Sequence, residues 1–151
     1  WSQWSNHEKG GPMLMPADVS LEENAKRGEK IFAEYLAEIE ERDISAAEGM
    51  RRSTMVHLFR GGGEMDYQLI YSVNGRDANK DYIDIGNYNY GVIAAAAGIP
   101  LSEAIVGAGA YNLRGTGEKD WRIGFNNPRN YAMFVKGYHD YQDGRISSGG
   151  R

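Results

Sequence analysis

Three groups of side chains in this sequence have the composition of a reaction site. The densest reads Asp81-Tyr82-Ile83-Asp84-Ile85-Gly86-Asn87-Tyr88-Asn89-Tyr90-Gly91. A carboxylate, two amides and two phenols near a helix start supply many donors and acceptors, and a helix N-terminus favours negative charge beside it. The same residues also suit a capped helix start whose tyrosines face the core. The second group runs Asp120-Trp121-Arg122-Ile123-Gly124-Phe125-Asn126-Asn127-Pro128-Arg129-Asn130. It is either a polar cluster of a site or a loop leading into a helix cap. The third is Asp66, within Met65-Asp66-Tyr67-Gln68. A carboxylate among apolar and aromatic groups can serve as a general acid, the alternative being a cap for the next element.

Other chemistries lack their residues. Cysteine is absent, which removes disulfides, thiolate metal sites and a cysteine nucleophile. There is no HExxH pair and no GxSxG elbow. His7 falls in an irregular stretch, and His57 and His139 fall on helical patterns without metal-ligand spacing, so no metal and no cofactor is expected. His57 becomes a general base only if it faces a cleft. Gly61, Gly62 and Gly63 could cradle an anion through backbone N–H groups, but a P-loop lysine and following helix are missing, which favours a plain helix stop. The net charge of −4 weighs against a nucleic-acid partner. Arg51, Arg52 and Arg60 form either a local basic patch or a solvated helix face.

These groups must be positioned by helices. The 151 residues fit one domain, with 41% hydrophobic and 25% charged residues suiting a globular fold. No apolar run approaches the roughly 20 residues that span a bilayer. Residues 1–19, with Gly10, Gly11, Pro12 and Pro16, read as an arm or linker, 20–146 as the folded domain and 147–151 as a tail. The first residue, Trp1, points to a chain processed or excised from something longer.

Ser20 and Glu23 predict a capping box and a helix to about Arg42, its core face carrying Phe32, Tyr35, Leu36 and Ile39. Ala46 to Arg60 predicts a second helix buried through Met50, Met55, Leu58 and Phe59, stopped by the glycines. Met65 to Val73 is a short strand or a helical turn. Tyr88 to Leu113 predicts a tight central helical hairpin broken at Gly98, with Pro100 opening its second arm. Asn126 or Asn127 caps a last helix that Pro128 begins and Gly144 ends. The expected fold is mainly α, a compact domain of about five helices with at most a short β-hairpin.

The two clusters and the Asp66 segment together resemble the type 44 family of bacterial polymorphic toxins. That family carries a Trp-Asp-Tyr-Lys-like motif, an Asp-aromatic-Gly-Asn-aromatic-Asn-Tyr-Gly block followed by small residues, and a Gly-Asp-Asp-Pro-like motif before a final helix. Here Asp66 and Tyr67 match the first, with Met65 and Gln68 in place of tryptophan and lysine. Asp84, Gly86, Asn87, Tyr88, Asn89, Tyr90 and Gly91 match the second, with Ile85 for the aromatic. Only Pro128 of the third remains, with Asn126 and Asn127 where aspartates are expected. The resemblance spans about Met55 to Tyr141. It implies a secreted effector domain carried on a larger delivery protein, delivered into a rival bacterial cell, with a cognate immunity protein in the producer.

Amides cannot exchange protons at neutral pH. Catalysis would therefore rest on Asp66 and Asp84, or the third motif is structural. Tyr67, Asn87, Tyr88, Asn89, Tyr90, Asn126 and Asn127 would hold substrate. Two carboxylates and an aromatic share of 11% fit a hydrolase of the cell envelope, a peptidoglycan glycosidase. The alternatives are a metal-independent nuclease in the target cytoplasm using Arg122, Arg129, Lys136 or His57, and a non-enzymatic binding module built on the 88–113 hairpin.

Overall fold

In the computed structural model, which describes residues 13–77, 79–111 and 127–146 (for Tyr111 the backbone alone), the described residues form six α-helices and one 3-10 turn, with no strand. The mainly α expectation holds, and the short hairpin is absent among the described residues. Helix α1 spans Leu21–Glu41, α2 Ile44–Phe59, α3 Tyr67–Ile70, α4 Ile83–Ala96, α5 Leu101–Tyr111 and α6 Pro128–Gln142; the 3-10 turn is Lys80–Tyr82. No helix among them is long and apolar enough to cross a membrane.

The ends follow local chemistry. Ser20 Oγ accepts the Glu23 amide at 3.1 Å, Asp43 accepts that of Ala46 at 2.7 Å, and Asn127 accepts those of Arg129 and Asn130. Pro128 occupies the first turn of α6, where a missing N–H costs nothing. Glycines with positive φ follow α4 and α6, at Gly98 and Gly144. Met65–Val73 resolves into the single turn α3.

Helix α4 is the centre of the molecule. Ten of its fourteen residues are buried, its chief neighbour is α6, and α1 comes second. The expected partner was α5, across the Gly98 turn, but α5 touches α4 far less. The reason lies in two glycines. A Cβ on Gly91 would run into the Phe134 carbonyl, and one on Gly137 into the Tyr88 carbonyl, so α4 and α6 meet backbone to backbone. Such an approach maximises dispersion contact along both helices. Against α1, the small residues Ala96 and Gly28 meet similarly: a Cβ on Gly28 would lie 2.6 Å from that of Ala96.

Three expectations need correction. The buried residues of α1 are Leu21, Ala25, Gly28 and Ile31, while Phe32 and Leu36 are 37% and 50% exposed, because the C-terminal half of α1 extends past α4. Arg51 is neither patch nor solvated face. It is buried, its guanidinium lies 3.7 Å from the centre of the Tyr35 ring, and it donates to the carbonyls of Ala97 and Gly98 at 3.2 and 3.4 Å. It thereby satisfies acceptors at the end of α4 that no amide fills. Finally, the last part of the expected arm lies on the body, since Met13 is buried in the core and Met15 and Val19 pack against it. Residues 1–12 and 147–151 lie outside the described residues.

Candidate functional site

Asp84 stands in the first turn of α4 with no solvent exposure. Arg129, in the first turn of α6, meets it through Nη2 at 3.0 Å and Nε at 3.5 Å. The cap that Asn127 makes fixes where Arg129 leaves its helix. The pair joins the starts of two helices, and water does not reach the carboxylate.

The rest of the 84–91 block is bound as firmly. Asn87 donates to the Ile83 carbonyl of its own helix at 3.0 Å. Tyr88 donates to Asp140 at 2.6 Å, and Asp140 also receives Lys136 at 2.8 Å and lies 3.7 Å from Arg145. Asn89, fully buried, accepts from Asn24 at 2.9 Å and donates to the Tyr67 hydroxyl at 3.3 Å. That hydroxyl receives Asn24 at 2.8 Å and donates to the Met65 sulfur at 3.3 Å. Tyr90 donates to the Ala104 carbonyl at 2.7 Å and packs edge-on against Phe59 and Phe134. Burial pushes the Tyr67 phenol up to about 12, with the Asn24 hydrogen bond opposing. Burial and then the bond to Asp140 push that of Tyr88 upward. Both phenols stay protonated at neutral pH and act as donors.

Asp66 serves a different part of the molecule. Its Oδ2 accepts the Gly62 amide at 2.9 Å, Gly63 donates to Arg60 at 2.7 Å, and Met65 donates to Leu58 at 2.8 Å. The carboxylate occupies the loop from within, and Gly62, at φ +77°, supplies a conformation that a side chain would strain. The glycine triplet is therefore no anion cradle, because its Gly62 and Gly63 donors are engaged. No hydrogen bond among the described residues joins Asp66, Asp84 and Asn87 to one another. Asn127 is a helix cap, and Asn126 lies outside the described residues.

An open cleft of about 410 Å³ lies beside this loop. Ser53, Thr54 and His57 of α2 form one wall, Arg27 of α1 another, and Arg60, Gly62, Gly63 and Glu64 complete it. Arg27 grips Glu64 with two parallel hydrogen bonds, 2.9 and 3.0 Å. That bond holds the Glu64 carboxyl below the usual carboxylate range and raises the guanidinium in turn. His57 thus meets the condition set for it in sequence, since it faces a cleft. Glu64, Arg27, Ser53 and Thr54 escaped sequence reasoning. The available signals were charged residues flanking the three glycines and a helical face shared by Ser53, His57 and Arg60. No group of three or more His, Asp or Glu able to hold a metal occurs among the described residues. Compared with known proteins, the chain matches no family model, no curated sequence and no solved structure.

Proposed function

We propose that this chain is the toxin domain of a bacterial polymorphic toxin of the type 44 kind, a hydrolase that attacks the cell envelope in the manner of a peptidoglycan glycosidase. One observation carries the chemistry. The cleft has a carboxylate, Glu64, on its wall, and a second, Asp66, bound to the Gly62 amide of the same loop. Glycoside hydrolysis needs two carboxyl groups, one to accept a proton from water or attack the anomeric carbon, the other to protonate the departing oxygen. Glu64, kept ionised by Arg27, suits the first role. Asp66 takes the second, its Oδ2 fixed by the Gly62 amide. Asp84 and its neighbours hold the frame. The likeness to the toxin family falls on α4, the helix around which the domain packs.

Digestion of purified sacculi tests this. The chain should release muropeptides, and Glu64→Gln and Asp66→Asn should each lower the rate by about 10²-fold or more. No muropeptides at high enzyme dose would remove the reading.

A second reading, a metal-independent nuclease, is favoured by the cationic side of the cleft, where Arg27, His57 and Arg60 stand against one carboxylate. Intact RNA and DNA in intoxicated cells would reject it. Directing expression to the periplasm or the cytoplasm of a sensitive host separates the two, since each predicts toxicity in one compartment. The immunity protein and the delivery protein belong to the same proposal. Of the 88–113 hairpin considered as a binding module, the α4 arm is disfavoured as a partner surface, because that helix is buried along most of its length.

A further inference from the structure

Ser53, His57 and Arg60 fall four and then three residues apart, so the last turns of α2 and its C-cap residue carry them toward one side. All three line the cleft and all are exposed. Among the described residues, none of their side chains has a hydrogen-bond or ion-pair partner, unlike Arg27, which Glu64 already engages. Three carbonyls at the helix end, those of Val56, Leu58 and Arg60, take backbone donors and do not compete for these side chains. Arg60 donates to Val56, Met65 to Leu58 and Gly63 to Arg60. The result is a row of three open donors. One is permanently cationic, and one becomes cationic when protonated.

We infer that Ser53, His57 and Arg60 form a subsite for an oxyanion, a phosphoryl or carboxylate group carried by the molecule that enters the cleft. A tetrahedral or planar oxyanion offers several acceptors at once, which matches a guanidinium, an imidazole N–H and a hydroxyl along one edge. The inference rests on the cleft being the working site and needs no particular bond to be broken. It narrows the substrate to an anionic molecule.

Titration of the full chain with inorganic phosphate and, separately, with acetate tests it, read by NMR of the backbone amides and the His57 ring at constant ionic strength. Saturable shifts are expected at His57, Arg60 and Gly62. Arg60→Gln should weaken that binding about 5- to 10-fold. Arg52→Gln removes the same charge from an exposed position that does not line the cleft, and should leave binding unchanged. Tighter phosphate binding assigns a phosphoryl-bearing substrate, and tighter acetate binding an acidic sugar or peptide. Shifts that never saturate with either anion, or an equal loss in Arg60→Gln and Arg52→Gln, overturn the subsite. Muropeptide release without saturable anion binding would sink the subsite and spare the hydrolase. Anion binding without muropeptide release would do the reverse.

Discussion

At the start of α4 a carboxylate and a guanidinium meet at 3.0 Å, and beside the glycine loop another such pair meets at 2.9 Å. The chemistry is the same and the surroundings are opposite. Asp84 has no exposed side-chain surface and Arg129 has 30%, whereas Glu64 and Arg27 have 57% and 41%. In the interior such a pair is held by the cost of separating it, because a lone buried charge has no water to turn to. At the surface the same pair contributes little, since water and salt replace either partner cheaply. The first pair therefore fixes architecture. The second leaves both partners within reach of solvent.

The comparison is tested most strongly at Asp84. Asp84→Ala leaves Arg129 without this acceptor and removes the tie between the starts of α4 and α6. The expected loss is about 3 kcal/mol, near the lower end for a broken buried pair because Arg129 keeps some hydration. Urea unfolding should show a lower midpoint with an unchanged slope. A loss below about 1 kcal/mol would mean that the buried pair is no stronger than a surface one.

A smaller effect comes from the interior phenols, which set the interior apart from the cleft at alkaline pH. A phenol whose folded pKa is raised contributes stability that is complete below its unfolded value near 10 and is lost as pH climbs through the folded value. Tyr67, pushed up to about 12, accounts for about 2–3 kcal/mol of that loss between pH 10 and 12. Tyr67→Phe removes the ionisation along with the bonds to Asn24, Asn89 and Met65. It should cost about 1 kcal/mol at neutral pH and make the alkaline fall shallower. Denaturant midpoints measured across pH 8 to 12 read both. An unchanged slope would show that the hydroxyl is not closed off from water.

Much of this frame was legible in the sequence. The caps at Ser20 and Asn127, Pro128 in the first turn, and Gly98 after α4 each follow from a backbone requirement that few residue types meet. The partner of α4 was not legible, because Gly91 and Gly137 lie far apart in the chain and read separately as weak points of two helices. Nor was the fate of the 84–91 block. Its density of amides, phenols and a carboxylate suits either a site or a fully bonded interior, and only the positions of Asn24, Arg129 and Asp140 tell the two apart. Arg51 misled for a related reason: its neighbour Arg52 is exposed, and nothing local says that one of two arginines turns inward to Tyr35 and the α4 carbonyls. The cleft was the hardest to see. Its walls come from α1, α2 and a loop, with a single residue, Arg27, standing for the first of these.

The smallest expected effect lies in that cleft. Glu64→Gln keeps the shape of the side chain and removes the charge facing Arg27. The Glu64 pKa is depressed in the folded state, so the pair's stabilisation is present above the unfolded carboxylate pKa and is lost as pH falls through the folded one. Solvent screening makes that amplitude small, because both side chains are well exposed. The substitution should change stability at neutral pH by no more than about 0.5 kcal/mol, read as an unmoved urea midpoint. Glu64→Gln should lower muropeptide release by about 10²-fold or more at full stability, whereas Asp84→Ala should lower stability whatever it does to release. A Glu64→Gln chain that unfolds as readily as Asp84→Ala would place the Arg27–Glu64 pair with the frame and leave the cleft without its carboxylate.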